Sequence, residues 1–354
     1  MPSVEPHLPT GSGTGVPSPP ALHVSPSPHL HDRNATTRGA MRDVLIGLLP
    51  VVVAGVLVFG WRAVSVLATC VASCLAVEEV LTRWRGRRSS IGDLSAAVTG
   101  TILALSLPAT VPAWVAVIAC SAAVGVGKLA FGALGQNVFN PAMVGRAFVM
   151  LSFTKFLGAP AYQVPDVGGI ISMATPLTLA REAEATLPDL WALTVGTVNG
   201  SIGEVSVIAC VLGGLFLCLR GTASWVIPLT VAGGLLVPAT LNQLLVSEQS
   251  LAALPPLQLT ALQHLTSGAL MFGAFFIATD PVTSPITRHG EAIFGAGVGL
   301  LVWVFRTFSS YPEGVMFAVL LMNAVVPLIN RWTVPTPFGD RPATAPLSQR
   351  KTRS

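Results

Sequence analysis

Apolar runs of membrane-crossing length follow one another from Val44 to Ile329, and that succession decides which solvent this chain folds in. They fall near 44–60, 63–81, 92–107, 113–131, 142–158, 203–219, 223–245, 264–279, 291–305 and 314–330. A soluble fold of this size would need charge to cover its outside, and soluble domains carry about 25% charged residues. Here 10% of the 354 residues are charged, 52% are hydrophobic and the mean hydropathy is +0.69. In a bilayer, backbone polar groups are satisfied only within helices or closed barrels. A straight helix needs about 20 residues to span it. The expected fold is therefore all-α, a polytopic membrane helix bundle of about ten transmembrane helices, with some of the shorter runs either half-helices or extending into their loops.

The net charge of +4 does not point to nucleic acid, because of where the charges lie. Arg83, Arg85, Arg87 and Arg88 follow an apolar run directly, while Arg350, Lys351 and Arg353 sit in a polar tail. No aromatic residues interleave with them to stack bases. With the N-terminus in the cytoplasm, sixteen of the twenty basic residues fall on that side. Arg62, Lys155, Arg181 and Arg306 fall outside. This is the asymmetry of the positive-inside rule, and it predicts a bacterial inner-membrane protein with both termini cytoplasmic.

Residues 1–40 are rich in Pro, Ser, Gly and His and read as a disordered cytoplasmic tail. The first apolar run lacks a small-residue cleavage site and reads as a retained helix. A first transmembrane half follows over 41–158 and a second over 200–332, with a cytoplasmic tail at 333–354. Between the halves, 159–199 is a long loop that this topology places in the periplasm. It holds Asp166, Glu182, Glu184 and Asp189 against Arg181 alone. Loops this long between spans are functional or disordered.

Phe139-Asn140-Pro141-Ala142 and Thr279-Asp280-Pro281-Val282 are similar segments, each with a capping residue before a proline suited to a helix start. Five spans in each half would make a duplicated unit inverted across the membrane. The simple topology instead puts both segments on the cytoplasmic side, so the repeat stays open.

Soluble-enzyme motifs are absent. Gly125-Val126-Gly127-Lys128 is not a phosphate loop, because Ala122 stands at its first glycine and Leu129 at its hydroxyl position. Gly295-Ala296-Gly297-Val298-Gly299 lies in an apolar helix, where small residues let helices approach closely. The five cysteines form no CxxC pair and read as small buried hydrophobes. Acids at membrane depth are costly and are functional candidates by default. Asp93 and Glu291 begin helices, so Glu78 and Glu204 are the better candidates for an ion path.

Several motifs, taken in order, resemble one family. They are Gly135-Gln136-Asn137-Val138-Phe139-Asn140-Pro141-Ala142-Met143, Ile171-Ser172-Met173-Ala174-Thr175-Pro176-Leu177, Gly200-Ser201-Ile202-Gly203-Glu204-Val205-Ser206 and the stretch from Phe272 to Thr283. The likeness continues through Tyr311-Pro312-Glu313-Gly314-Val315 to Ile329. It resembles the RnfD (RsxD) family of Rnf electron-transport complexes, related to the NqrB family of sodium-pumping NADH:quinone reductases.

That resemblance implies a membrane subunit passing electrons between ferredoxin and NAD, or toward a redox-sensing regulator, coupled to Na+ or H+ movement. It implies the A, B, C, E and G components of an Rnf complex as partners. It also implies a covalent FMN, joined by a phosphoester to Thr175 within Ser172-Met173-Ala174-Thr175 by a flavin transferase. Glycine often stands where Met173 does. A second, non-covalent flavin, riboflavin, is implied within the bundle, and the segments around Asn137, Asn140, Thr279 and Asp280 are its candidate site. Without the resemblance, a secondary transporter or channel with no redox cofactor remains the alternative.

Overall fold

The computed structural model describes residues 36–157, 177, 190–195, 200–248, 259–309 and 314–335. Among them every regular element is a helix. Helices α1 (Thr37–Phe59) and α2 (Trp61–Trp84) are joined at Gly60, whose φ of +59° suits a residue without a Cβ. After a short 3-10 turn, α3 (Ser95–Ser106) and α4 (Ala113–Ala122) follow, and α4 runs on through a π-helical segment, Ala123–Lys128. Then come α5 (Pro141–Ser152), α6 (Thr154–Leu157), α7 (Leu190–Val195) and α8 (Val207–Leu219). The remaining helices are α9 (Val226–Glu248), α10 (Ala261–Thr266), α11 (Leu270–Phe272), α12 (Arg288–Phe308) and α13 (Val315–Thr333). A second π-helical segment, Gly273–Ile277, continues α11.

Six helical stretches among the described residues are long and apolar enough to cross a membrane: α1, α2, α4 with its continuation to Phe131, α9, α12 and α13. Helices α3, α5 and α8 are apolar but shorter, at 12, 12 and 13 residues. At about 1.5 Å per residue each reaches about 20 Å at most, short of the ~30 Å hydrocarbon core. The expected span at 264–279 is broken, because Gly268, at φ +66°, separates α10 from α11. The protein is a polytopic helical membrane protein built from full and partial spans.

The ends of partial spans are satisfied by protein. Ile202 N–H donates to Leu107 O at 3.1 Å and Gly203 N–H donates to Leu105 O at 2.6 Å. These bonds seat the 200–206 turn on the C-terminus of α3. Ser206 then caps α8, its Oγ accepting from Ala209 N–H at 3.3 Å.

Small residues let the spans touch backbone to backbone. On α12, a Cβ at Gly299 would stand 2.1 Å from Val231 O of α9, and one at Gly295 would stand 2.0 Å from Thr230 Oγ1. On α8, a Cβ at Gly213 would stand 1.9 Å from Gly47 O of α1. Gly213→Ala is therefore expected to force α1 and α8 apart and to destabilise by about 1–3 kcal/mol, the usual cost of overpacking. Gly233→Ala, with no atom within 4 Å of the added methyl, is the control. Thermal denaturation of both variants in detergent measures this, and equal midpoints would refute the close contact.

Candidate functional site

Each π-helical segment leads into one of the two similar motifs. Ala123–Lys128 precedes the Asn140-Pro141 turn, and Gly273–Ile277 runs into Thr279-Asp280-Pro281. A π-bulge shifts the helical register and is common at functional sites. The two motifs meet inside the protein: Asn140 Nδ2 donates to Ile277 O at 3.4 Å. Asn140 also caps α5, its Oδ1 accepting from Met143 N–H at 3.3 Å with Pro141 at the first helical position. Asn323 of α13, 1% exposed, holds both sides. Its Oδ1 accepts from Asn140 N–H at 3.2 Å, and its Nδ2 donates to Thr283 O at 3.0 Å.

Where the motifs meet there is a cavity, partly open to the outside. Its walls are largely apolar, with Val44, Val98, Ile102, Leu134, Leu217 and Phe276 among them. The polar groups on them are Ser95, Thr99, Lys128, Asn137, Asn140, Thr222, Thr279 and Asp280. All four residues that the sequence singles out for a non-covalent ligand thus line one cavity. Asn137 Nδ2 donates to Phe139 O at 3.2 Å, while its buried Oδ1 has no hydrogen-bond partner among the described residues. A buried acceptor without a donor is costly, and here it belongs to a residue that lines the cavity. Burial pushes the Asp280 carboxyl above the ordinary carboxylate range, opposed by bonds from Val282 N–H at 3.2 Å and the Thr283 hydroxyl at 3.1 Å.

One wall carries an ion pair. Lys128, the last residue of the first π segment, is 2% exposed and Glu78 of α2 is fully buried. The ammonium donates to the two Glu78 oxygens at 2.8 and 2.7 Å and to Ser95 Oγ at 2.5 Å. Ser95 in turn donates from Oγ to Asp93 Oδ1 at 2.5 Å. Between Asp93 and Ser95, Leu94 has φ +65°, the one non-glycine positive φ among the described residues. A side chain in that region costs about 1–2 kcal/mol, and such strain gathers at functional sites. Below the cavity, Arg85 Nη1 donates to Leu129 O, and Arg87 Nη1 donates to Gly132 O at 2.6 Å. These arginines fix the turn between the π segment and Asn137.

A second buried cluster gathers around Gly268. A Cβ there would stand 2.9 Å from Leu177 Cδ1, 3.2 Å from Arg306 Nη2 and 3.9 Å from Glu204 Oε2. Arg306 donates from Nη1 to His264 O, and from Nη2 to Ser267 O at 2.7 Å. Ser201 Oγ donates to Glu204.

Several sequence expectations change. Asp280 does not cap a helix: residues 280–287 form turns, and Thr287 caps α12 by accepting from Gly290 N–H at 3.1 Å. The Asp280 carboxylate accepts from Val282 N–H as a cap would, but the turn stops at Ser284, because Pro285 follows and has no N–H to continue it. Lys128, Arg146 and Arg306 enter the charge count as topology markers, yet they are 2%, 4% and 1% exposed and belong to the interior. Without them the count stands at fourteen against three, so the asymmetry survives. Glu78 lies in α2, one of the helices of spanning length, and is salt-bridged to Lys128. Sequence reasoning misses Lys128, Ser95 and Asn323 as site residues. A lone lysine and a lone asparagine within apolar helices are the signals that could find them. Ser172, Met173, Ala174 and Thr175 lie outside the described residues.

Comparison with known proteins agrees with these motifs. Residues 23–339 match the model of the NQR2, RnfD, RnfE family. The chain is 37% identical over 321 residues to the D component of the Na(+)-translocating ferredoxin:NAD(+) oxidoreductase complex of Acetobacterium woodii, covering 90% of this chain and 95% of that one. It is 38% identical to the D component of the ion-translocating oxidoreductase complex of Halorhodospira halophila, covering 87% and 93%. It is also 35% identical to the D component of the proton-translocating ferredoxin:NAD(+) oxidoreductase complex of Clostridium ljungdahlii, covering 90% and 96%.

The bridge made by Asn323 has a measurable consequence. Asn323→Leu leaves the Asn140 N–H and the Thr283 carbonyl buried without their partner, at about 1–3 kcal/mol each. The variant is expected to melt well below wild type in detergent. Asn323→Asp, which still accepts but cannot donate, is expected to fall between them. A leucine variant as stable as wild type would show that the bridge contributes nothing.

Proposed function

Because the chain belongs to the NQR2, RnfD, RnfE family, we propose that it is the D-type membrane component of an Rnf-type complex. In this reading it passes electrons between ferredoxin- and NAD-reacting partners while the complex moves Na+ or H+. The partners are the A, B, C, E and G components. The observation that supports the reading most strongly is the cavity where the Asn140 and Asp280 motifs meet, because it unites residues from distant parts of the chain around an unpartnered acceptor.

The cavity suits a flavin, here riboflavin. An isoalloxazine ring has two apolar faces and an edge of alternating N–H and carbonyl groups. Val98, Ile102, Leu134 and Phe276 offer apolar surface, and Asn137 Oδ1 offers an acceptor to the N–H. Asn140, Thr279 and Asp280 complete the polar lining, and the apolar walls keep water from the ring. A bound flavin supplies one- and two-electron exchange. The role of Asn140 is to stay fixed, held at its N–H, Oδ1 and Nδ2 at once.

A second flavin, FMN, is attached to Thr175 through a phosphoester made by a flavin transferase. Leu177, two residues on in the sequence, is buried beside Gly268. The loop 159–199 lies in the periplasm and both termini in the cytoplasm of a bacterial inner membrane. Glu78 and Glu204 are the acids offered to the ion path.

Co-expression with a flavin transferase, followed by a denaturing gel under ultraviolet light, tests the covalent site. A fluorescent band is expected in wild type and none in Thr175→Ala, and no band in wild type would sink the flavin reading in favour of a transporter without redox cofactor. Flavin released by denaturing Thr175→Ala reports the cavity. Adding Asn140→Ala is expected to weaken that flavin's binding roughly tenfold, about 1.4 kcal/mol.

A further inference from the structure

Lys128 stands on the cavity wall, yet its ammonium is fully engaged elsewhere. Two bonds to Glu78 and one to Ser95 use all three donors of the group. A buried ion pair is costly to desolvate, and apolar residues of similar volume often serve a fold better. This pair is not buried in solid packing. It borders a cavity, so a negative charge arriving there can compete for the ammonium.

The two partners are not equivalent once separated. Glu78 keeps a donor without Lys128, because Ser90 Oγ donates to Glu78 Oε1 at 2.5 Å. Ser90 is half-buried, and its exposed neighbour Ser89 donates to Glu79 Oε2 at 2.5 Å. The carboxylate is thereby linked to the edge of the bundle, while Lys128 and its third partner, Ser95, line the cavity. The other ionisable groups near the pair are Cys74 on α2, Asp93 through Ser95, and Asp280 on the cavity wall.

We propose that Lys128 is a counter-ion shared between Glu78 and a cavity group that gains negative charge on reduction. The inference rests on the reading of the cavity as a flavin site. Negative charge in the cavity draws the ammonium off the carboxylate. Glu78, left with Ser90, takes up one monovalent cation, a proton or a sodium ion, from the Ser89–Glu79 edge. One negative charge and one cation enter together, so the interior stays neutral. When the cavity group is oxidised, Lys128 returns to Glu78 and the cation leaves.

The test is a spectroelectrochemical titration of the non-covalent flavin in the purified complex, in a Thr175→Ala background. It compares wild-type Lys128 and Glu78 with E78Q and with E78Q/K128M, across pH and with or without Na+. E78Q releases Lys128 toward the cavity and is expected to raise the midpoint potential. E78Q/K128M removes both charges, leaves no unpaired buried ion, and is expected to fall below the parent. A tenfold loss in relative affinity for the reduced form corresponds to 59 mV for a one-electron couple. The parent potential is expected to depend on pH or Na+, and both variants are expected to lose that dependence. Flavin present with potentials unmoved, or moved in the same direction in both variants, overturns this inference alone. A parent complex without non-covalent flavin overturns the reading of the cavity and this inference with it.

Discussion

No water reaches the middle of a bilayer, so every helix end placed there must find its hydrogen-bond partners in protein. That constraint organises this structure. Helices α3, α5 and α8 are too short to span, and each therefore needs a second segment at its end. The 200–206 turn supplies N–H groups to the last carbonyls of α3, and its Ser206 begins α8. Asn140 caps α5 while tied to Ile277 and Asn323. Bringing distant segments to these ends also creates the polar interior in which a site can form.

The interior charges follow from the same constraint. Lys128 with Glu78, and Arg306 with Glu204 and Arg146 nearby, lie where an apolar bundle would otherwise have none. Isolated, each would be prohibitive at this depth. Paired and hydrogen-bonded they are tolerated, and they lie at the two places where irregular backbone gathers. One borders the cavity. The other packs around Gly268 and Leu177.

The sequence speaks clearly wherever the signal is one-dimensional. Long apolar runs, the flanking arginines and the glycines at 295, 297 and 299 lead directly to the bundle and its close helix contacts. The pairing of the Asn140 and Asp280 motifs is legible as a likeness but not as a contact, because 137 residues separate Asn140 from Ile277. Asp280 reads wrongly as a cap, since Asp-Pro suits both a helix start and a turn, and Pro285 a few residues on keeps the turn from continuing. Lys128 passes for a topology marker because a lysine near the end of a run looks the same whether it faces a headgroup or a carboxylate. Only the packing of α2 beside the π segment distinguishes the two.

The π segments bring one more thing to light. A wider turn holds an extra residue relative to an α-helix, and each residue of an α-helix turns the side chains by about 100°. Everything after the segment is therefore rotated in phase from everything before it. Cys120, upstream, donates from Sγ to Cys70 O of α2 at 3.4 Å, and Lys128, at the end of the bulge, bonds Glu78 two turns further along the same face of α2. The bulge acts as a phase shifter that brings Lys128 back to the face of α2 that Cys120 already meets. Removing a single residue from it would leave composition and hydropathy almost untouched, yet would point the ammonium away from its carboxylate. The charge arrangement at the cavity is thus encoded in the count of residues between two turns as much as in their identity.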